Sequence, residues 1–176
     1  MYARTVEETR TGVRVALASA GRASTATGLP VLDHLLGLLA EKACFDLALE
    51  VAPGGADAEV AAAGLALGQA LAGPLRAEDA AGYGWAMVPA RESLASVVLE
   101  VADEPLVVSN VDLSPQRVGG LATDLVARFL QELAAGAGLT LHLRLVDGSE
   151  PQNVLEAIFK ALGAALGQAC RPRGKG

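Results

Sequence analysis

The sequence predicts an α+β protein in which sheets are covered on one side by helices, and three observations lead to this prediction. Segments with alternating apolar residues, such as GVRVALAS from Gly12 to Ser19, are typical of half-buried strands. Longer apolar segments with helical periodicity separate them, and turn residues such as Pro53 and Gly54 mark the boundaries. Strand and helix patterns recur in the same order in the two halves of the chain, which indicates a duplicated unit.

The first half of the chain is predicted to run strand, helix, strand and helix. Pro30 suits the start of the first helix, and Asp33 suits its N-cap or first turn, because a carboxylate there accepts free backbone N–H groups. Alanine and leucine favour the second helix despite Gly64 and Gly68. The predicted elements are a strand within residues 3–25, a helix from Thr27 to Lys42, a strand from Phe45 to Val51 and a helix over about residues 57–71.

The second half repeats this order. Its predicted elements are strands beginning at Tyr83, Ser93 and Leu106, a helix over about 122–135, a strand from Leu139 to Val146 and a last helix over about 151–169. When His34 is placed on Arg128, helix, strand, turn and helix align over about forty residues. We therefore predict one domain, residues 1–176, made of two pseudo-repeats, about 1–80 and 81–176. Each repeat is expected to be a mostly antiparallel sheet covered by two helices.

Composition limits the possible functions. Hydrophobic residues make up 52% of the 176 residues, but no uninterrupted apolar run reaches the roughly 18 residues of a membrane span, so we expect a soluble cytoplasmic protein. The net charge of −6 argues against nucleic acid as a partner. Cys44 and Cys170 lack metal-ligand spacing and are expected to be reduced and buried. Because the helices are apolar on more than one face, part of their surface is expected to lie between subunits.

The order and spacing of several motifs resemble the imidazoleglycerol-phosphate dehydratase family. The motifs are VEET, TGLPVLDHLL, FDLALEV, LGQAL, GYGWAMVPARESLA, VVLEVADEPL, RVGGLATDLV, GLTLHLRL and LEAIFKALGAAL. The resemblance implies a duplicated fold like that of domain 2 of ribosomal protein S5, in a large symmetric homo-oligomer with active sites between subunits. It also implies histidine biosynthesis, in which water is removed from imidazoleglycerol phosphate by an enzyme that holds two manganese ions.

Most of the family's metal ligands are replaced in this chain. His34 and Glu156 match two ligand positions, and Glu8 and Lys160 match residues that contact the substrate, Glu8 being the candidate catalytic residue. The other seven ligand positions are occupied by Lys42, Asp57, Ala58, Ala61, Arg128, Gln152 and Asn153. Two substrate-binding arginines of the family fall on Gly82 and Glu104, and the family's C-terminal serine and lysine loop is shortened, with Lys175 as a stand-in for its lysine. Manganese is therefore expected to bind weakly or not at all.

Each of these residues also has an ordinary structural interpretation. His34 can form a structural hydrogen bond, and His142 is expected to pack in the core or against a neighbouring strand. Glu156 suits the first turns of a helix, where it can pair with Lys160 four residues later, and Glu8 can simply be solvated.

Two hypotheses of function follow from the resemblance. The chain is either a dehydratase with a rebuilt site that acts on the small phosphorylated imidazole, or a non-catalytic oligomeric paralogue that keeps the fold and a ligand pocket. A third class, an RNA-binding module, requires a basic face, which the acidic composition does not favour.

Overall fold

The computed structural model describes residues 11–16, 19–112 and 116–172. Glu8 and Lys175 lie outside these ranges. The described helices are α1 (Pro30–Ala43), α2 (Ala56–Leu75), α3 (Asp124–Ala137) and α4 (Pro151–Cys170). The described strands are β1 (Gly12–Ala16), β2 (Ala23–Ala26), β3 (Asp46–Glu50), β4 (Tyr83–Ala90), β5 (Ser93–Val101), β6 (Leu106–Ser109), β7 (Arg117–Val118), β8 (Leu121–Ala122) and β9 (Leu139–Asp147).

The two main sheets share one strand arrangement. In the first sheet, of order β1, β3, β2, the central strand is antiparallel to β1 and parallel to β2. In the second sheet, of order β4, β5, β9, β6, strand β9 is antiparallel to β5 and parallel to β6. The set β5, β9 and β6 thus reproduces β1, β3 and β2, and each set is accompanied by two helices. The predicted duplicated α+β fold is confirmed, while the repeat boundaries near residue 80 stay a prediction.

The helices lie between the two sheets and form the centre of the core. Helix α1 packs against α4 and α2 against α3, so each helix contacts a helix of the other half. The buried rings of Phe129 and Phe159 lie on α3 and α4 with their centroids 5.5 Å apart. Because every helix has a sheet on one side and a helix on another, apolar residues are required around most of its circumference.

The helices of the two halves approach most closely at glycines. A Cβ atom added to Gly68 on α2 would lie 2.5 Å from the carbonyl oxygen of Leu133 on α3. A Cβ atom added to Gly163 on α4 would collide with the carbonyl oxygen of Leu39 on α1. When the two halves are overlaid, these two contacts fall on equivalent positions. The same close crossing therefore occurs twice, and only a residue without a side chain permits it.

Short elements escaped the sequence analysis. The region assigned to one strand, residues 3–25, contains β1 and all but the last residue of β2, and its first eight residues lie outside the described ranges. The strand predicted to run from Leu106 to Leu113 ends at Ser109. Strands β7 and β8 have two residues each and are joined by Gly119 and Gly120, both with positive φ. Elements of two to four residues are too short to show a hydrophobic period.

Helix α1 begins three residues before Asp33. Leu29 is its N-cap residue and forms no capping hydrogen bond with its side chain. Pro30 occupies the first turn. The Asp33 carboxylate accepts hydrogen bonds from the backbone N–H and the hydroxyl of Thr27, at 3.1 and 2.8 Å. Asp33 therefore lies in the first turn, as one of the two predicted alternatives has it, but it holds the preceding loop instead of capping the helix. Thr27 is completely buried by this arrangement.

Helix α2 is the one described helix that is long and apolar enough, by length and composition, to cross a membrane. Its most hydrophobic window has a mean hydropathy of 1.2, and 39% of that window is buried. Two of its glycines, Gly64 and Gly68, face the backbone of α3. The packing of α2 against α3 thus explains the apolar character of this helix within the fold.

The two cysteines are free and half-buried at the ends of α1 and α4. Cys44 terminates α1 in the left-handed region, with φ of 59°. Burial raises the pKa of Cys170 to about 11, so its thiol stays protonated at neutral pH. The expected reduced state agrees with the structure, although burial is partial.

We predict that Gly163→Ala destabilises the protein by about 2–3 kcal/mol, since the new methyl group forces α1 and α4 apart. Gly37→Ala is the matched control. Gly37 lies within α1 with no atom near its missing Cβ, so alanine there raises stability by about 0.5–1 kcal/mol through helix propensity. Urea denaturation of both variants measures the two effects. If the free energy of unfolding changed by the same amount in both variants, the close approach of α1 and α4 at Gly163 would not be what limits this position.

Candidate functional site

Two of the predicted metal ligands meet where α1 and α4 begin. Gly163 packs on Leu39 and Gly167 packs on Ala43, so the two helices run in the same direction and their first turns are neighbours. This places His34 Nε2 3.7 Å from Glu156 Oε1. The imidazole side chain is 56% exposed and the carboxylate side chain 20% exposed. The pair is an ion pair when His34 is protonated.

The pair borders a small cavity of about 250 Å³. Its walls come from the first turns of α1 and α4 and from the turn between β7 and β8. The lining residues are Pro30, Val31, His34, Leu35, Val118, Gly119, Gln152, Leu155 and Glu156. Gly119 comes so close that a Cβ atom there would lie 2.6 Å from the Val31 side chain. An apolar cleft with three convergent polar groups is the usual form of a site for a small ligand.

Two amide side chains, Gln152 and Asn153, occupy positions where the resemblance implies metal ligands. Gln152 Nε2 donates to Glu156 Oε2 at 3.3 Å, and Asn153 Nδ2 donates to Glu92 Oε1 at 2.6 Å. The hydroxyl of Ser93 also donates to Glu92 at 2.8 Å. The hydrogen bond from Asn153, followed by that from Ser93, holds the pKa of Glu92 below its ordinary value. Each amide therefore stabilises a carboxylate, one in the cavity and one in the β4–β5 turn.

Other predicted site residues lie apart from this cavity. Lys160 is half-buried on α4 and does not line the cavity, and in the described ranges it forms no ion pair with Glu156, which pairs with His34 instead. Lys42 is exposed near the end of α1, about 12 Å along the helix axis from His34. Arg128 on α3 pairs with Glu132 of its own helix at 3.2 Å.

The remaining candidates are distributed over the surface. Asp57 is exposed in the first turn of α2, and Glu104 is exposed in the turn between β5 and β6. His142 was expected to pack in the core or across the sheet. It is exposed on β9 and lies between Val98 and Val108 of the neighbouring strands, so the core interpretation was wrong. Glu8 stays a prediction outside the described ranges.

Two larger cavities, of about 450 and 390 Å³, lie on the first sheet. Both are lined by β1, β2 and β3, and Arg14 borders each of them. Neither contains a histidine. Size alone would favour these open surfaces, but the convergent imidazole, carboxylate and amide of the smaller cavity make it the better chemical candidate.

Sequence reasoning missed the residues that complete this site. Gln152 and Asn153 stood out only as lost ligands, although both amides form hydrogen bonds. Val118 and Gly119 were not singled out, because the short turn that carries them has no strand signal. Glu92 lies in the motif GYGWAMVPARESLA, next to its partner Ser93. Its other partner, Asn153, is 61 residues away in sequence, so the sequence gives no sign of this contact.

Known proteins share both the sequence pattern and this fold. The sequence model of imidazoleglycerol-phosphate dehydratase matches residues 27–166. The imidazoleglycerol-phosphate dehydratase of Syntrophobacter fumaroxidans is 39% identical over 96% of this chain and 87% of its own length. That of Moorella thermoacetica is 36% identical over 94% of this chain and 87% of its own length.

Solved structures agree with these matches. The imidazoleglycerol-phosphate dehydratase of Staphylococcus aureus has a TM-score of 0.85 and 29% identity, covering 93% of this chain and 95% of its own. The enzyme of Pyrococcus furiosus, solved in complex with (S)-C348, has a TM-score of 0.81 and 26% identity, covering 93% and 90%. The chain belongs to the imidazoleglycerol-phosphate dehydratase family.

Proposed function

We propose that this chain is a non-catalytic member of its family, which keeps the fold and a small ligand pocket but does not carry out the manganese-dependent dehydration of histidine biosynthesis. The observation that carries the proposal is the pairing of His34 with Glu156. These two residues match family ligands, yet they bind each other at 3.7 Å, and the second carboxylate oxygen accepts from Gln152. Glu156 therefore already has two neighbours within the protein, and one of them is the other matched position, His34.

The donor set does not fit two manganese ions. Manganese prefers about six oxygen and nitrogen ligands in octahedral geometry. Across residues 11–16, 19–112 and 116–172, no three His, Cys, Asp or Glu side chains lie together in a way that could hold a metal ion. Histidine ligands are scarce even in a site shared between two copies, because each chain contributes only His34 and His142.

Charge at the replaced positions supports the same proposal. Lys42 and Arg128 bring positive side chains to positions where the family has ligands for a divalent cation. Glu104 brings a carboxylate to a position where the family has an arginine for the substrate phosphate. A guanidinium binds phosphate through paired hydrogen bonds, whereas a carboxylate repels it.

The cavity itself suits the ring part of the family's substrate. A volume of about 250 Å³ is sufficient for an imidazole ring with a short side chain. Glu156 can accept a hydrogen bond from a ring N–H, and His34 can exchange a proton with the other ring nitrogen. Apolar contacts with Val31 and Val118 would cover the faces of the ring. The proposed ligand is thus a small imidazole compound, bound without turnover.

A dehydratase with a rebuilt site is the second candidate function. The observation that favours it is the survival of an imidazole and a carboxylate at the matched positions of one cavity. Such a pair can transfer protons, which the removal of water requires. The cytoplasmic location and the large homo-oligomer implied by the family stay predictions under both candidates.

We predict that the purified chain binds no Mn²⁺ with a dissociation constant below about 0.1 mM and does not convert imidazoleglycerol phosphate. Electron paramagnetic resonance of free Mn²⁺ and a product assay measure the two properties. The gene is also expected not to restore growth of a dehydratase-deficient cell without histidine. Turnover that disappears in Glu156→Gln would overturn the proposal in favour of the rebuilt enzyme.

A third ligand in the cavity should create divalent metal binding. Gln152→His places a second imidazole one helical turn from Glu156 and beside His34, so we expect Mn²⁺ or Zn²⁺ affinity at least tenfold above that of the natural chain. The matched control is Gln168→His, an exposed position on the same helix but far from the cavity. Equal affinities of the two variants would argue against the geometry given for the site.

The tie between Asn153 and Glu92 should make stability depend on pH. Because the folded pKa of Glu92 is lowered, its hydrogen bonds stabilise the fold above the ordinary pKa, and this contribution is lost as the pH falls through the lowered value. Asn153→Ala is therefore less stable than the natural chain at pH 7, and the difference shrinks below pH 4.5.

Carbon-detected NMR titration of the Glu92 carboxyl gives the direct measurement. Its pKa should move up towards the ordinary value in Asn153→Ala. Asn110→Ala is the control, since the Asn110 side chain bonds the backbone of Leu145 and no carboxylate. An unchanged Glu92 pKa in Asn153→Ala would show that the hydrogen bond does not determine it.

A further inference from the structure

A hairpin forms the one wall of the cavity between α1 and α4 that is not helical. Strands β7 and β8 are antiparallel, with Val118 opposite Leu121, and Gly119 and Gly120 join them. Both glycines have positive φ, which a two-residue hairpin turn of type I′ requires. Residues 116–123 are called the β7–β8 hairpin below. Its tip contributes Val118 and Gly119 to the cavity wall.

Hydrogen bonds within the β7–β8 hairpin make it a stiff unit. The backbone N–H of Thr123 donates to the carbonyl oxygen of Gln116 at 3.0 Å, and the N–H of Gln116 donates to the Thr123 hydroxyl at 3.2 Å. Nearer the tip, Arg117 Nη1 donates to the carbonyl oxygen of Gly120 at 2.8 Å. Each of these hydrogen bonds joins two parts of the hairpin, so all three persist when the hairpin moves as a whole.

The hairpin is anchored at its base and exposed at its tip. Leu121 and Thr123 are both buried, and Leu121 belongs to the hydrophobic core. Gly119 and Gly120 are exposed. Gly119 also packs closely on the Val31 side chain of α1. The tip therefore meets α1 through a packing contact, which is separated more easily than a set of hydrogen bonds.

Open space on both sides of the hairpin allows such a movement. The tip borders the cavity of about 250 Å³, and the base borders a second cavity of about 200 Å³, to which Gln116 and Thr123 contribute. The buried side chain of Leu155 lines both cavities. A segment with space on two sides loses few packing contacts when it moves, and segments with few buried contacts open locally at a low cost in free energy.

We propose that the β7–β8 hairpin is a strap, which opens to admit a small ligand to the cavity and then closes over it. With the tip lifted from Val31, His34 and Glu156 lie in an open groove between two helices, and a ligand can enter. With the tip closed, Val118 covers the ligand and water is excluded, so a hydrogen bond from the ligand to Glu156 is strengthened. The inference rests on the proposed function, because the ligand is the small imidazole compound assigned to this cavity.

A reversible crosslink tests the strap. A Cβ atom at Gly119 would lie 2.6 Å from the Val31 side chain, so the double variant Val31→Cys, Gly119→Cys can form a disulfide, which joins Cβ atoms about 4 Å apart. NMR exchange measurements with imidazole as the probe compare the oxidised and reduced forms of this variant. We expect the exchange between free and bound imidazole to be at least tenfold slower in the oxidised form, and reduction to restore it.

The reduced form is the matched control, since it has the same residues without the crosslink. Circular dichroism confirms that both forms are folded. Peptide mass spectrometry confirms that the introduced cysteines are joined to each other and that Cys44 and Cys170 stay free.

NMR relaxation dispersion of the backbone amides tests the strap without any ligand, because it detects opening on the μs–ms timescale. We expect dispersion at Val118 and Gly120 of the natural chain, and its loss in the oxidised double variant. The β4–β5 turn is the internal control. It is also exposed and has Arg91 at positive φ, but the hydrogen bond from Asn153 to Glu92 ties it to α4, so no dispersion is expected there.

Equal exchange rates of imidazole in the oxidised and reduced forms would overturn the strap, and so would a hairpin without dispersion. If imidazole fails to bind both the reduced variant and the natural chain, the proposed function is wrong instead. The dispersion measurement needs no ligand, so it still decides in that case whether the hairpin opens.

Discussion

The close parallel crossing of α1 and α4 is the contact on which both the fold and the candidate site depend. Gly163 and Gly167 let the backbone of α4 lie directly on Leu39 and Ala43. Side chains at these positions would separate the helices and open a gap in a core that otherwise excludes water. Since the helices run in the same direction from this crossing, their first turns meet, and His34 reaches Glu156. The packing of small residues thus positions the polar pair several residues away.

The two halves of the chain share the helix crossing, but only one crossing has a pair of polar side chains facing each other. Helices α2 and α3 meet at Gly68 as α4 and α1 meet at Gly163, so the packing is the same in both places. At the position equivalent to His34 stands Arg128, and the position equivalent to Glu156 is Ala61. With no carboxylate across the crossing, Arg128 pairs with Glu132 on its own helix. One crossing therefore holds a polar pair and a cavity, and the other is a structural contact.

Long elements could be predicted from the sequence because their hydrophobic period extends over several turns or strand repeats. The order of helix and strand in both halves followed from that period, as did the α+β class. Local pattern did not reveal β2, β7 or β8, which have two to four residues each. The meeting of His34 and Glu156 depends on a contact between helices 120 residues apart, and only the family resemblance suggested it. The hydrogen bond from Asn153 to Glu92 depends on where the β4–β5 turn lies in space, and the sequence pattern does not predict that position.

The amide side chains in the first turn of α4 stabilise nearby carboxylates. A carboxylate in a partly buried cavity needs a hydrogen-bond or ion-pair partner, because an unpaired buried charge is costly. Here Gln152 supplies a hydrogen bond to Glu156 on one side, and His34 faces it on the other. Asn153 donates a 2.6 Å hydrogen bond to Glu92, which is exposed in the β4–β5 turn, and so joins the first turn of α4 to that turn. Amide N–H groups donate hydrogen bonds to carboxylates, so Gln152 and Asn153 each tie the first turn of α4 to an acidic side chain.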